Sequence, residues 1–159
     1  MNEQRRRGLR HLATLCAALA VPAVRAAAPE VEVWKSPTCG CCGKWVNHMK
    51  ANGFSVTTND VGNLAGWRAR HGMPSKYGSC HTARVGGYTL EGHVPAADVQ
   101  RLLRERPDAI GLAVPNMPIG SPGMEIEGRR DAYDVLLVLR DGSAKSFSHY
   151  PALRGPGGI

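Results

Sequence analysis

The sequence predicts a mixed α/β fold. Three observations carry that reading. Short β-type runs take turns with stretches of helical spacing, a Gly-Gly pair separates two of those runs, and the composition is 43% hydrophobic and 21% charged. That balance supplies a core and is unlike a disordered chain, and 159 residues suit one folded domain.

The elements follow in order. "VEVWK" (Val31–Lys35) alternates and reads as a strand, and "SPTCGC" after it reads as a turn. From Cys42 to Asn52 the spacing of Trp45, Val46 and Met49 is helical, with Gly53 as the stop. "FSVTT" (Phe54–Thr58) is a second strand. Asn63 can cap a short helix that carries Leu64, Trp67 and His71 on one face and ends at Gly72. "CHTARV" and "YTLEGH" flank Gly86-Gly87, a hairpin signal. Pro95 opens a helix with Val99, Leu102 and Leu103 on one side, ended by Pro107. The resulting order, β-α-β-α-β-β-α with a cysteine turn before the first helix, is that of a thioredoxin-like fold, with a parallel pair from the β-α-β steps and an antiparallel hairpin. Residues 111–131, rich in Pro and Gly, read as a long ordered loop or flap. "YDVLLVL" and "AKSFSHY" around Asp141-Gly142 read as an added C-terminal hairpin.

Residues 1–28 differ from the rest. Arg5, Arg6, Arg7 and Arg10 form a basic head, Leu12–Val24 is an apolar run too short to span a bilayer, and Ala26–Ala28 offers a small-residue cleavage site. This is the pattern of a secretory signal peptide, the alternative being a buried N-terminal helix. "RRRGLR" faintly resembles a twin-arginine signal, and Leu15 before Cys16 is too bulky for lipoprotein processing. The expected organisation is therefore a signal at 1–28, one domain at 29–152 and a flexible tail at 153–159. Of the net charge of +7, five of the twenty basic and one of the thirteen acidic residues fall in 1–28; the fifteen and twelve that remain give +3, which does not argue for nucleic acid. No membrane insertion is expected once the signal is removed.

Four cysteines then remain: Cys39, Cys41, Cys42 and Cys80. "KSPTCGCCGKW" superimposes a CxxC, a CxC and a Cys-Cys pair. A helix N-terminus favours thiolate over thiol, so Cys39 and Cys42 are expected to have lowered pKa values. Three readings stay open. Cys39 and Cys42 have the spacing of a redox CxxC, which would make a thiol–disulfide oxidoreductase. Two disulfides could simply staple an exported chain, although three cysteines in four residues close loops too small to constrain it much. Crowded thiolates also suit a soft metal, Cu(I) or Zn(II), and the packing is unlike the paired CxxC of zinc ribbons. Cys80 opens the third strand at the place where thioredoxins carry a cis-proline, with Pro74 six residues earlier, so it is expected to meet the other three.

The segments "SPTCGCCGKW", "GMPSKYGSCHTA", "EGHVP" and "GLAVPNMPIGSPGME" resemble, in that order and over roughly residues 30–150, a family of exported bacterial proteins. It was first described as a domain of unknown function and includes the CopG-type copper-resistance proteins. The resemblance implies a thioredoxin-like fold and a periplasmic role in copper handling. It also implies copper held by Cys39, Cys41, Cys42 and Cys80, with Cu(I)/Cu(II) interconversion as a proposed reaction. Other periplasmic copper-handling proteins would be the partners.

Further residues are candidates on chemistry alone. Met117 and Met124 carry soft thioethers in the Pro/Gly loop, and either cover the cysteine site or plug the loop onto the core. Met73 is expected in the core. His81 neighbours Cys80, but strand alternation points the two to opposite faces, so it either ligates or hydrogen-bonds. His93, His48 and His149 are expected to be structural. Trp45 and Trp67 read as core and Trp34 as a shield for the site; Lys35 and Lys44 could offset thiolate charge. No Ser-His-Asp order, phosphate-binding Gly loop or carboxylate pair suggests hydrolase chemistry, and Asp131 and Asp134 read as turn residues.

Overall fold

The computed structural model describes residues 27–154. The expected signal segment lies outside the described residues apart from Ala27 and Ala28. The chain runs β1 (Glu30–Lys35), α1 (Gly40–Ala51), β2 (Ser55–Asp60), α2 (Leu64–Arg70), a 3-10 turn at Ser75–Tyr77, β3 (His81–Val85), β4 (Tyr88–Glu91) and α3 (Ala96–Glu105). It continues through β5 (Gly111–Ala113), β6 (Arg129–Arg130), β7 (Tyr133–Val138), β8 (Ala144–Tyr150) and β9 (Leu153–Arg154).

Seven strands form one sheet in the order β2-β1-β3-β4-β5-β7-β8. β1 pairs with β2 in parallel and with β3 antiparallel, and β3 returns antiparallel as β4. This is the element order and pairing expected from the sequence. Alternation along β1 explains the layers. Val31 and Val33 point into a core with Trp45, Val46 and Met49 of α1 and Val99 and Leu102 of α3, whereas Trp34 points the other way and stacks on Trp67 of α2 at 5.0 Å. α1 and α3 therefore cover one face and α2 the other. Trp45 and Met49 are fully buried, and each such side chain contributes roughly 2–3 kcal/mol by leaving water.

Two expectations need correction. Residues 111–131 are not all loop, because Gly111–Ala113 form a strand, β5, parallel to β4 and antiparallel to β7. β5 joins the added hairpin β7–β8 to the main sheet. A Cβ at position 111 would sit 1.7 Å from the carbonyl oxygen of Thr89, so only glycine permits this approach. Second, the chain beyond 152 is paired where it is described: Leu153 and Arg154 form β9 against β6, and the rest of the expected tail lies outside the described residues. Asp98 of α3, nearly buried, accepts hydrogen bonds from Ser148 Oγ and, at 2.7 Å, from Tyr150 Oη; this ties α3 to β8. His48, read as merely structural, accepts the Ala96 N–H at 3.1 Å and so caps α3.

A cysteine–histidine cluster at the start of the first helix

Cys39 stands at the N-cap of α1, and Cys41 and Cys42 lie in its first turn. Helix formation begins here because the turn at Ser36–Cys39, closed by the Cys39 N–H on the Ser36 carbonyl at 3.1 Å, feeds directly into the spacing of Trp45, Val46 and Met49. The first-turn N–H groups lack intrahelical partners and place partial positive charge on the cysteines. Cys80 directly precedes β3. The strand order sets β3 beside β1, so Cys80 arrives at the same sheet end as the cysteine turn. The Sγ atoms of Cys39, Cys41, Cys42 and Cys80 all lie within 4.8 Å of one another.

Cys39 and Cys42 are joined as a disulfide, while Cys41 and Cys80 are free. The two thiols expected to titrate low are thus held as an S–S bond in this structure. Cys41 Sγ lies 3.4 Å from Cys39 Sγ. Burial, reinforced by the nearby Cys41, pushes the Cys80 thiol up to about 12, so without a cation beside it Cys80 stays protonated.

Two histidines complete the cluster. Cys80 Sγ is 2.9 Å from His93 Nε2 and 3.4 Å from His81 Nδ1. Both rings are fully buried. His93 Nδ1 donates to the Pro122 carbonyl at 2.8 Å, which leaves its Nε2 as the lone-pair nitrogen facing Cys80. Burial, then the neighbouring His93, pushes His81 down to about 3, and burial lowers His93 too, so both are neutral near pH 7. The His81 ring packs against Trp45 at a tilt of 41°, centroids 4.3 Å apart, and its Nε2 has no hydrogen-bond partner among the described residues. Neutral imidazoles and clustered sulfurs form a donor set suited to a soft metal ion, with His93 Nε2 and His81 Nδ1 both facing the Cys80 sulfur.

Several candidates are placed differently from expectation. Alternation does not separate Cys80 from His81, because Cys80 lies just before the strand and is free of its pleat. His93, read as structural, is brought against Cys80. The hairpin register contains the signal that could have found it. Thr82 pairs with Glu91, and one step outward the Gly92 N–H bonds to the His81 carbonyl at 2.9 Å, so His93 falls opposite Cys80. The Pro/Gly loop does cover the cysteine turn: a Cβ on Gly123, at φ +89°, would meet the Cys41 carbonyl oxygen at 2.8 Å and the Trp45 nitrogen at 2.9 Å. Met124 lies in that loop, its carbonyl accepting the Gly120 N–H at 2.8 Å. Met117 is 48% exposed and lines a groove of about 470 Å³ with Asn116, Asp131 and Tyr133. Met73 is in the core, as expected. Lys35 is engaged by Asp60 at 2.6 Å rather than by thiolates, and Trp34 belongs to the α2 stack with Trp67 and His71.

Fold and site together define a mixed α/β protein with a buried-edge cysteine–histidine cluster. Comparison with known proteins sharpens this. Residues 77–124 match the family model described as "Protein of unknown function, DUF411". Two solved structures, "Copper resistance protein copG- Form 2" and "Copper resistance protein copG- Form 1", are 46% and 47% identical, with TM-scores of 0.74 and 0.73. Each covers 77% of this chain, which in turn covers 98% and 97% of theirs. No curated protein matches the sequence. The chain belongs to the CopG-type copper-resistance family.

Proposed function

We propose that this protein is an exported, periplasmic copper-binding protein with a thioredoxin-like frame. With its thiols reduced it holds Cu(I) through Cys39, Cys41, Cys42, Cys80 and His93, with His81 beside them; it also interconverts Cu(I) and Cu(II), and once Cys39 and Cys42 are oxidised the remaining donors hold the metal. The observation that carries this reading is the convergence of four sulfurs and a lone-pair imidazole nitrogen at one helix start. Its likeness to copper-resistance proteins favours copper over zinc for that donor set. The strand order β2-β1-β3-β4 with β3 antiparallel supports the frame, and the signal pattern and the disulfide support an oxidising compartment. Among the described residues, no helix is long and apolar enough to cross a membrane. The partners are copper ions and, in the periplasm, other copper-handling proteins.

The redox step balances on the chain's own cysteines. The Cys39 and Cys42 thiols give one electron each to two Cu(II) ions, release two protons, and join as the disulfide. Two Cu(I) ions result, for which Cys41, Cys80 and the imidazoles remain as donors.

The test is an anaerobic Cu(I) titration of reduced protein from Pro29 onward against a competing chelator, repeated on Cys80→Ser. Tight binding that weakens at least tenfold in the variant is expected; binding indifferent to Cys80 would sink the shared site. The Cys39–Cys42 disulfide also favours a second reading, a thiol–disulfide oxidoreductase. Cys41→Ser separates the two. It weakens copper binding if the first reading holds, and it leaves reduction of a protein disulfide intact if the second does.

A further inference from the structure

We propose that Glu91, with Arg68, is a positioning residue for Cys80: a buried carboxylate–guanidinium clamp that reaches through the sheet and fixes the Cys80 sulfur over the cysteine turn. This rests on the copper reading above. Neither residue offers an atom to the cluster. Glu91 ends β4, is fully buried, and faces the α2 side of the sheet, opposite to His81 and Ala83.

Its carboxylate accepts three hydrogen bonds, and two of the donors, Ser79 N–H and Thr82 Oγ1, flank Cys80. Oε1 accepts the Ser79 N–H at 2.7 Å and Arg68 Nε at 2.8 Å, and Oε2 accepts Thr82 Oγ1 at 2.7 Å. Arg68 reaches past Glu91, and its Nη2 donates to the Ser79 carbonyl at 2.8 Å. Ser79 is therefore gripped at both its N–H and its C=O by the same ion pair, and the gripped carbonyl belongs to the Ser79–Cys80 peptide. Downstream, the His81 carbonyl is held by Gly92 N–H. Cys80 lies between the two anchors, outside the strand ladder, so nothing in the pleat fixes its direction.

A buried carboxylate costs free energy unless it is fully bonded, and removing one partner leaves the others unsatisfied. The clamp is accordingly all or none. Intact, it sets Cys80 Sγ at 2.9 Å from His93 Nε2. Groups that orient a ligand without touching the metal typically change affinity by about 10–100-fold when removed.

The experiment is a double-mutant cycle on the full mature chain, with Cu(I) alone as the probe. Glu91→Gln is measured in the native and Cys80→Ser backgrounds, and Arg68→Lys, which keeps the charge but loses the fork to Ser79, serves as the variant safest for folding. Expected is a loss of affinity of about 10–100-fold in the native background and less than about twofold once Cys80 is already serine. Equal losses in both backgrounds mean a merely structural role and overturn the proposal, as does no loss in the native background. If the parent itself fails to bind Cu(I), the copper reading falls. The clamp is then judged on metal-free protein with Cys80 as its sole cysteine, by the rate of alkylation with iodoacetamide. A rate changed at least about threefold by Arg68→Lys supports it, and an unchanged rate overturns it.

Discussion

His93 is held in one orientation by two partners, the Pro122 carbonyl on Nδ1 and the Cys80 sulfur on Nε2. A ring so fixed can hand its lone pair to a metal without losing side-chain freedom at that moment, which is why such partners tune metal affinity. His93→Ala should therefore weaken Cu(I) binding by about tenfold or more in a chelator competition while leaving the fold's circular dichroism unchanged. His48 makes the opposite use of an imidazole. It must be neutral to accept the Ala96 N–H, and burial holds its pKa below the ordinary 6.5. As pH falls through that value the unfolded chain takes up the proton first, so stability present at neutral pH is lost on acidification. His48→Gln keeps an acceptor that does not titrate. Its urea midpoint should fall less than that of the parent between about pH 7.5 and pH 5; an equal fall would remove His48 from the linkage.

At the scale of elements, α1, α2 and the β3–β4 hairpin were legible because each carries a local signal: helical spacing, an asparagine cap, a Gly-Gly turn. β5 was not. Three residues buried between two strands have no alternation to display, and "GLA" beside a Pro-rich stretch reads as loop. His93 was missed for a related reason, since its place depends on hairpin register rather than on its neighbours in sequence. The four cysteines, by contrast, mark the site by type and spacing, although the spacing alone left redox, staple and metal readings open. The link between α3 and the added hairpin also escapes sequence reading, because Asp98 finds Ser148 and Tyr150 some fifty residues on. Asp98→Ala removes both bonds and leaves two hydroxyls to find other partners. A loss of about 1–3 kcal/mol in urea unfolding is expected; a loss under about 0.5 kcal/mol would mean that the hairpin is held by β5 and by Arg101 of α3, which donates to the Phe147 carbonyl and lies over the Phe147 ring.

Across the described residues one seven-stranded sheet carries a single chemically variable corner. The main core lies between the sheet and helices α1 and α3, and the Cys39–Cys42 bond closes a loop too short to stabilise the chain much. Redox state should therefore change the site far more than the fold. With the disulfide closed, the sulfur donors are Cys41 and Cys80; with it open there are four. A ligand bound only by the folded state stabilises it by about 2.7 kcal/mol at a hundredfold excess over its dissociation constant. For a domain of this size that is a rise in melting temperature of several degrees or more. Anaerobic melting of the chain from Pro29 onward, with and without Cu(I), should show nearly equal temperatures for the two metal-free redox forms and a clearly larger copper-induced rise for the reduced one. Equal rises would show that Cys39 and Cys42 add nothing to the metal. The disulfide would then be a permanent fixture, and copper binding would rest on Cys41, Cys80 and the histidines alone.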